Sequence, residues 1–222
     1  YEIVGCDWSS DVCSSDLCQR WLKDEFGQQA CYIPNGISVE NFHLTKPIQP
    51  KDKKTRILIE GNPDDNYKNV DEAFRIVEQL DKKKFEIWFI SYGGQPKQWY
   101  SYDESFNKIP YKEMKKYYSS CDILLKTSRL ESFSYPPLEM MACGGVCVVA
   151  KNGGNAEYIK NEYNALTYQL GDLKTAVQQI ERLAENKKLR EKLLANGEKT
   201  VKERAWSNTL IKLKQLYAKK EN

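Results

Sequence analysis

"CDILLKTSRLESFSYPPLEMMACGGVCVVA", Cys121–Ala150, decides the fold. Its first eight residues form a short apolar run of the kind expected for a strand buried on both faces of a parallel sheet. A polar loop follows. "YPPLEMMACG", 135–144, then reads as a helix, with its prolines confined to the first turn, where they are tolerated. "GVCVVA", 145–150, is a second buried strand. A strand, a loop, a helix and another strand in 30 residues make a parallel βαβ unit.

The same alternation extends in both directions. Upstream, "RILIEG" (56–61) and "FEIWFISYG" (85–93) read as strands. "NVDEAFRIVEQL" (69–80) is a helix with Val70, Ala73, Phe74, Val77 and Leu80 on one face, and "YKEMKKYYSS" (111–120) is another helix. Downstream come a short helix in "GNAEYIKN", a strand in "NALTYQ", a helix in "LKTAVQQIERLAEN", a charged helix over 187–204, and a last one in "AWSNTLIKLKQLYAKK". Elements in this order predict an α/β fold with a Rossmann-like, doubly wound parallel sheet over 55–205, followed by a C-terminal helix at 206–222. Before it, "CQRWLKDEFG" is helical and stops at Gly27, and "ACYIPNGI" is a strand broken by Pro34 and the turn pair Asn35-Gly36. "ENFHLTKPIQPKDKK" suits an interdomain linker. Residues 18–54 thus read as the remnant of a preceding domain with its crossover.

Residues 1–17 read as foreign to this domain. Asp11–Leu17 matches the translation of GAC GTG TGC TCT TCC GAT CT, the end of a widely used sequencing adapter, so 8–17 is expected to be translated adapter joined to a true reading frame. Genomic reads that cross codons 8–18 without a breakpoint would overturn this expectation.

A formal charge of +3, with acids interleaved among the bases, gives no argument for nucleic acid. No apolar run reaches the ~18 residues of a membrane span, and no basic-then-apolar signal peptide is visible. Of the seven cysteines, Cys121, Cys143 and Cys147 lie in apolar segments as small core residues; the others are irregularly spaced without a CxxC pair. With one histidine in the chain, zinc is not expected, and an odd cysteine count without a secretory signal suits a reducing cytoplasm.

Two glutamate pairs stand eight positions apart: Glu78 with Glu86, and Glu131 with Glu139. Doubly wound sheets bind ligands at the carboxyl ends of their strands. Glu78 and Glu86 fall on a helix end and in the next strand, on the wrong side of the layer. Glu131 follows a strand, and Glu139 sits about one turn into the next helix. Between them the loop Ser132, Phe133, Ser134 leads into a helix start, a place for phosphate. Two carboxylates flanking an anion site suit a sugar, a diphosphate and a ribose in a row.

On these residues the chain resembles the C-terminal, donor-binding half of GT-B retaining glycosyltransferases of family four, glycosyl transferases group 1. The resemblance spans roughly 18–217 and rests on "IPNGI...NF", on "ILIEGNPDDNYKNVDEAF", and on the E-x7-E segment followed by "MACGGVCVVAKNGGNAEYI". It implies that Glu131, the catalytic candidate, holds hydroxyls of the donor sugar and that Glu139 holds the ribose. It implies that Lys68 reaches the donor diphosphate, while Gly61-Asn62 stands where the family often has an arginine. "YGG" at 92–94 shapes a loop beside the nucleotide, and Gly153 and Gly154 let backbone approach the donor. The tyrosines 111, 117 and 118 read as packing residues.

The implied partners are a nucleotide-sugar donor and a glycan or lipid-linked glycan acceptor, with no metal and no cofactor. The implied setting is bacterial cell-surface polysaccharide synthesis with a hexose or a deoxyhexose such as rhamnose, in the cytoplasm, with peripheral association of the full-length protein at the inner face of the plasma membrane. The isolated fragment is expected to be inactive. A non-catalytic nucleotide-sugar binding module and a GT-B-like nucleotide-sugar epimerase are the alternatives.

Overall fold

The structure, a computed structural model, describes residues 12–50 and 53–220. Its core is a six-stranded, all-parallel sheet. The strands are β3 (Thr55–Glu60), β4 (Phe85–Ser91), β5 (Glu104–Asn107), β6 (Ile123–Lys126), β7 (Val146–Ala150) and β8 (Leu166–Tyr168). They lie in the order β5-β4-β3-β6-β7-β8. A separate two-stranded piece pairs β1 (Val12–Cys13) with β2 (Cys31–Tyr32) around α1 (Asp16–Phe26).

Both faces of the sheet are covered, which is why its strands read as unbroken apolar runs. On one face Ile57, Ile59, Phe89 and Val148 pack under α2 (Val70–Val77) and α5 (Leu173–Glu185). The alternate residues Leu58, Trp88, Leu124 and Val149 pack on the other face. They meet α3 (Met114–Ser120) and α4 (Tyr135–Ala142), with Val201 of α6 (Lys187–Glu203) completing that cluster. The period of two along each strand therefore feeds two separate cores.

The order of the strands creates the site. From β3 the chain winds outward to β4 and β5, and from β6 it winds the other way to β7 and β8. The loops leaving the neighbours β3 and β6 lead to α2 and α4 on opposite faces of the sheet, and the two loops touch, Arg129 N–H donating to the Tyr67 carbonyl at 2.8 Å. This is the switch point at whose strand ends doubly wound sheets hold ligands in a crevice. Residues 61–69 and 127–134 border it.

The elements fall where the sequence places them, with four differences. β5 was not anticipated: "ESFN" is a polar edge strand whose side chains alternate between partial burial and exposure, so it lacks the apolar signature of a central strand. α3 begins only at Met114, after one 3-10 turn at Tyr111–Glu113. "GNAEYIKN" contributes a single 3-10 turn, Asn155–Glu157, where a short helix was expected. Residues 1–11, and so the first four of 8–17, lie outside the described part; Ser15 caps α1 by accepting from the Cys18 N–H at 3.0 Å, so the helix starts two residues before Cys18.

The linker is less polar in place than in sequence. Phe42 is fully buried against Tyr111 and Tyr118, and the hydroxyls of Ser119 and Ser120 accept the N–H groups of Thr45 and Ile48. Residues 33–37 also meet the start of α7 (Trp206–Lys220): Trp206 N–H donates to the Ile37 carbonyl at 3.1 Å, and Thr209 Oγ1 to the Pro34 carbonyl.

Candidate active site

The two glutamate pairs separate as topology requires. Glu78 caps the end of α2, and Glu86, at the amino end of β4, pairs with buried Arg56 at 3.1 Å. That ion pair is structural, with the Arg56 guanidinium stacked 4.2 Å over the Trp88 ring. Glu131 and Glu139 instead border the crevice.

Glu131 sits in the loop after β6 among positive groups. Lys68 Nζ, from the loop after β3, reaches both of its oxygens at 3.0 and 3.1 Å. Lys126 Nζ, at the end of β6, lies 3.6 Å away, and the Ser128 hydroxyl donates at 2.8 Å. Burial by itself would push this carboxyl up. The ammonium groups of Lys126 and Lys68, with the hydrogen bonds from Lys68 and Ser128, outweigh it and hold Glu131 below the usual glutamate value. It is an anion poised at the loop, not a proton donor.

Glu139 lies in the opposite electrostatic state. Burial, and after it the neighbouring Glu60 carboxylate, raise it to about 8, against the opposing effects of Tyr118 and Lys126. Glu60 ends β3, nearly inaccessible. It accepts from the Tyr92 and Tyr118 hydroxyls at 2.8 and 2.7 Å and from Lys126 Nζ at 3.2 Å. The Tyr118 oxygen also lies 3.0 Å from Glu139. Lys68, Glu131, Lys126, Glu60, Tyr118 and Glu139 form one continuous polar chain across the crevice floor.

Three of these, Glu60, Lys126 and Tyr118, are not among the candidates the sequence offers, and Tyr92 is offered only as part of a loop. A signal for two of them was present. "ILIE" and "ILLK" are buried strands whose last residue alone is charged, and in a parallel sheet that last residue faces the ligand edge. Tyr118 does pack, as expected, yet its hydroxyl joins both carboxylates.

Loop and glycine positions sort as follows. Ser134 caps α4 with φ 70°, and its hydroxyl is buried without a protein partner. Pro136 and Pro137 occupy the second and third helical positions and lack N–H groups. The donors at this helix start are therefore those of Tyr135 and of the loop 132–134, rather than a full first turn. Ser132 is exposed. The Phe133 side chain is 1% exposed and packed against Tyr135 and Tyr158, which leaves its backbone as the part able to face the candidate site. Asn62 accepts the Asp64 N–H at 3.0 Å and shapes the loop after β3. Gly61 precedes it with φ 155°, where a Cβ would stand 2.8 Å from Val70 Cγ2. Gly93 and Gly94 lie against that same loop.

Gly153 and Gly154 each lie close to another part of the chain. Gly153 faces Leu17, and a Cβ on Gly154 would overlap the Glu131 carbonyl and the Ser132 backbone. The missing side chain of Gly154 admits the loop that carries Glu131. Gly154→Ala is therefore expected to displace that loop. A shift near 1 Å at a site residue lowers activity on the order of 10²-fold, which would show as lost transfer by a full-length protein whose far-ultraviolet circular dichroism is unchanged. Glu157 caps a helix other than its own: it accepts the Asp16 N–H at 3.2 Å and bonds Tyr32 and Arg204.

Among the described residues no group of three or more His, Cys, Asp or Glu converges as a metal site, and no helix is long and apolar enough to cross a membrane.

The family model for glycosyl transferases group 1 matches residues 42–200. An uncharacterized glycosyltransferase of Methanocaldococcus jannaschii is 32% identical over 96 residues, covering 43% of this chain and 25% of that protein. The C-terminal domain of a glycosyl transferase group 1 family protein from Francisella tularensis superposes with TM-score 0.60 at 19% identity, over 75% of this chain and 97% of that one. HepE of Anabaena, solved with UDP-glucose, superposes with TM-score 0.77 at 14% identity, over 94% of this chain and 63% of that one. At such identities the superpositions establish the fold alone. The chain spans a quarter of the curated relative and under two thirds of HepE.

Proposed function

The chain belongs to the glycosyl transferases group 1 family, and on that premise we propose that it is the nucleotide-sugar binding half of a retaining glycosyltransferase of GT-B architecture. The observation that carries the reading is the pair Glu131 and Glu139 on either side of a loop-to-helix start, at the switch point between β3 and β6. A low-pKa carboxylate at Glu131 suits capture of sugar hydroxyls by charge-assisted hydrogen bonds. Glu139, one helical turn further, suits the ribose diol. Lys68 is the nearer of the two lysines beside Glu131, so a donor diphosphate entering over loop 132–134 would draw it away from that carboxylate.

In this reading the roles divide without a covalent intermediate on the protein. Lys68 and the loop N–H groups stabilise the departing diphosphate. Glu131 orients the sugar, and the acceptor hydroxyl attacks from the face the leaving group vacates. Ser132, Ser134, Gly61 and Asn62 line the approach, and Gly154 sets the loop. The acceptor is a glycan or a lipid-linked glycan, held by residues outside this chain. Cell-surface polysaccharide synthesis at the inner face of the plasma membrane is the setting we assign, with a hexose or deoxyhexose transferred.

Because the chain spans 63% of HepE, it is expected, taken alone, to bind nucleotide-sugar weakly and to transfer little. Calorimetric titration with UDP-glucose should give a dissociation constant in the range of about 0.1–1 mM, equivalent to ~4–5.5 kcal/mol. Turnover by this chain at a rate typical of complete enzymes would overturn that expectation and leave the transferase reading standing. An epimerase would convert the nucleotide-sugar into its epimer with no acceptor and no net release of nucleoside diphosphate; release of the diphosphate only when acceptor is added separates the two activities.

A further inference from the structure

Tyr118 has one hydroxyl proton and two carboxyl neighbours. Its oxygen stands 2.7 Å from Glu60 Oε2 and 3.0 Å from Glu139 Oε2. A phenol donates a single hydrogen bond, so both contacts are favourable only when one carboxyl is itself protonated and donates back to the phenol oxygen. The surroundings decide which one. Glu60 accepts from the Tyr92 hydroxyl on Oε2 and from the Lys126 ammonium on Oε1, a set of donors that suits an anion. Glu139 has Tyr118 as its hydrogen-bond partner and lies 8% exposed. The proton belongs on Glu139.

The other groups around Glu139 do not reverse this. Tyr92, Tyr111 and Tyr158 approach from the loop after β4, the turn before α3 and the segment after β7. Tyr135 on α4 and Cys143 just past its end flank it, and Lys126 of β6 opposes its protonation. α6 packs on α4 with buried residues that include Asn196, Gly197, Thr200 and Val201, none of them ionisable. Phenols and thiols are neutral near pH 7 and leave Glu60 as the charged neighbour that matters most.

We propose that Glu60 acts as a positioning residue which, through the shared proton of Tyr118, keeps Glu139 protonated until a nucleotide arrives, so that capture of the ribose by Glu139 expels one proton to solvent. This rests on Glu139 being the ribose holder. A vicinal diol presents two O–H donors, and a carboxylate accepts both, whereas a carboxylic acid has already committed one oxygen as donor. Binding therefore favours the ionised form. No bond other than O–H is broken: the proton leaves Glu139, and the ribose hydroxyls keep theirs.

Two measurements test this. In protein carrying ¹³C at glutamate Cδ, one carboxyl signal should titrate with a midpoint near 8, be absent from Glu139→Gln, and move toward the ordinary carboxylate range in Glu60→Gln. If every glutamate of the wild-type chain titrates in the ordinary range, the proposal is wrong, whatever the variants do. In calorimetry with ADP-, GDP- and UDP-glucose, whose diphosphates do not titrate between pH 6 and 8, buffers of different ionisation enthalpy should report close to one proton released per molecule bound at pH 7. Affinity should rise about tenfold per pH unit below the Glu139 midpoint. Binding without proton release overturns the coupling and leaves the ribose assignment standing. Binding unaffected by Glu139→Gln, or no binding of any of the three, overturns the ribose assignment, and the carboxyl titration still decides where the proton sits.

Discussion

Glu131→Ala, introduced into a full-length protein containing this chain, is expected to lower sugar transfer by about 10²–10³-fold, the magnitude of losing a charged partner that acts on the transition state. The loss should fall on kcat more than on KM, because Glu139, Lys68 and loop 132–134 still hold the nucleotide portion. The fold should tolerate the change. Glu131 is a loop residue, and its ion pair with Lys68 is a third exposed on the lysine side, so screening leaves it a small share of stability. Initial rates with a labelled donor, alongside thermal unfolding, separate these effects. Transfer within tenfold of wild type would remove Glu131 from the reacting centre.

Lys126→Ala is expected to act first on stability. The ammonium is 3% exposed and holds Glu60, 1% exposed, at 3.2 Å. Removing one member of a buried ion pair strands the other, at about 3–5 kcal/mol, which for a chain of this size lowers the unfolding midpoint by on the order of 10 °C. The two tyrosine hydroxyls on Glu60 soften the loss without supplying a counter-charge. Combining Lys126→Met with Glu60→Gln should recover most of the lost stability, since the amide oxygen of glutamine can accept from Tyr92 and Tyr118 while no lone charge remains. Recovery of stability without recovery of transfer would mark the pair as part of the site's electrostatics. A double variant no more stable than Lys126→Ala alone would show that packing, not charge, dominates there.

The fold was legible because both faces of the sheet are buried. Continuous apolar runs such as "ILI", "IWFI" and "VCVV" announce parallel strands, and the helix over 69–80 carries its apolar face at the expected spacing. β5 was invisible for the complementary reason: an edge strand with solvent on its side chains has no such run. The position of the glutamate pair was legible through topology, since a residue just past a parallel strand falls at the sheet's carboxyl edge.

The floor of the site was not legible. Glu60 and Lys126 lie 66 positions apart in the chain and meet only because β3 and β6 are neighbours. Tyr118 contributes its ring to the core and its hydroxyl to the site, and sequence spacing reports only the first. Phe133 sat in the middle of the motif and turned inward, because a loop that must reach a helix start next to Tyr158 anchors itself with its largest apolar side chain. Gly154 was legible as a place of close approach, and the close neighbour the structure shows there is the backbone of Glu131 and Ser132.

The central claim is that Glu131 and Glu139 hold sugar and ribose hydroxyls on either side of a diphosphate, and crystals of this chain soaked with a nucleotide-sugar test it most directly. The account predicts diphosphate density over residues 132–135 within reach of Lys68, the ribose diol on Glu139, and sugar hydroxyls on Glu131. A nucleotide seated elsewhere, or one whose ribose lies away from Glu139 with its sugar away from Glu131, would contradict it.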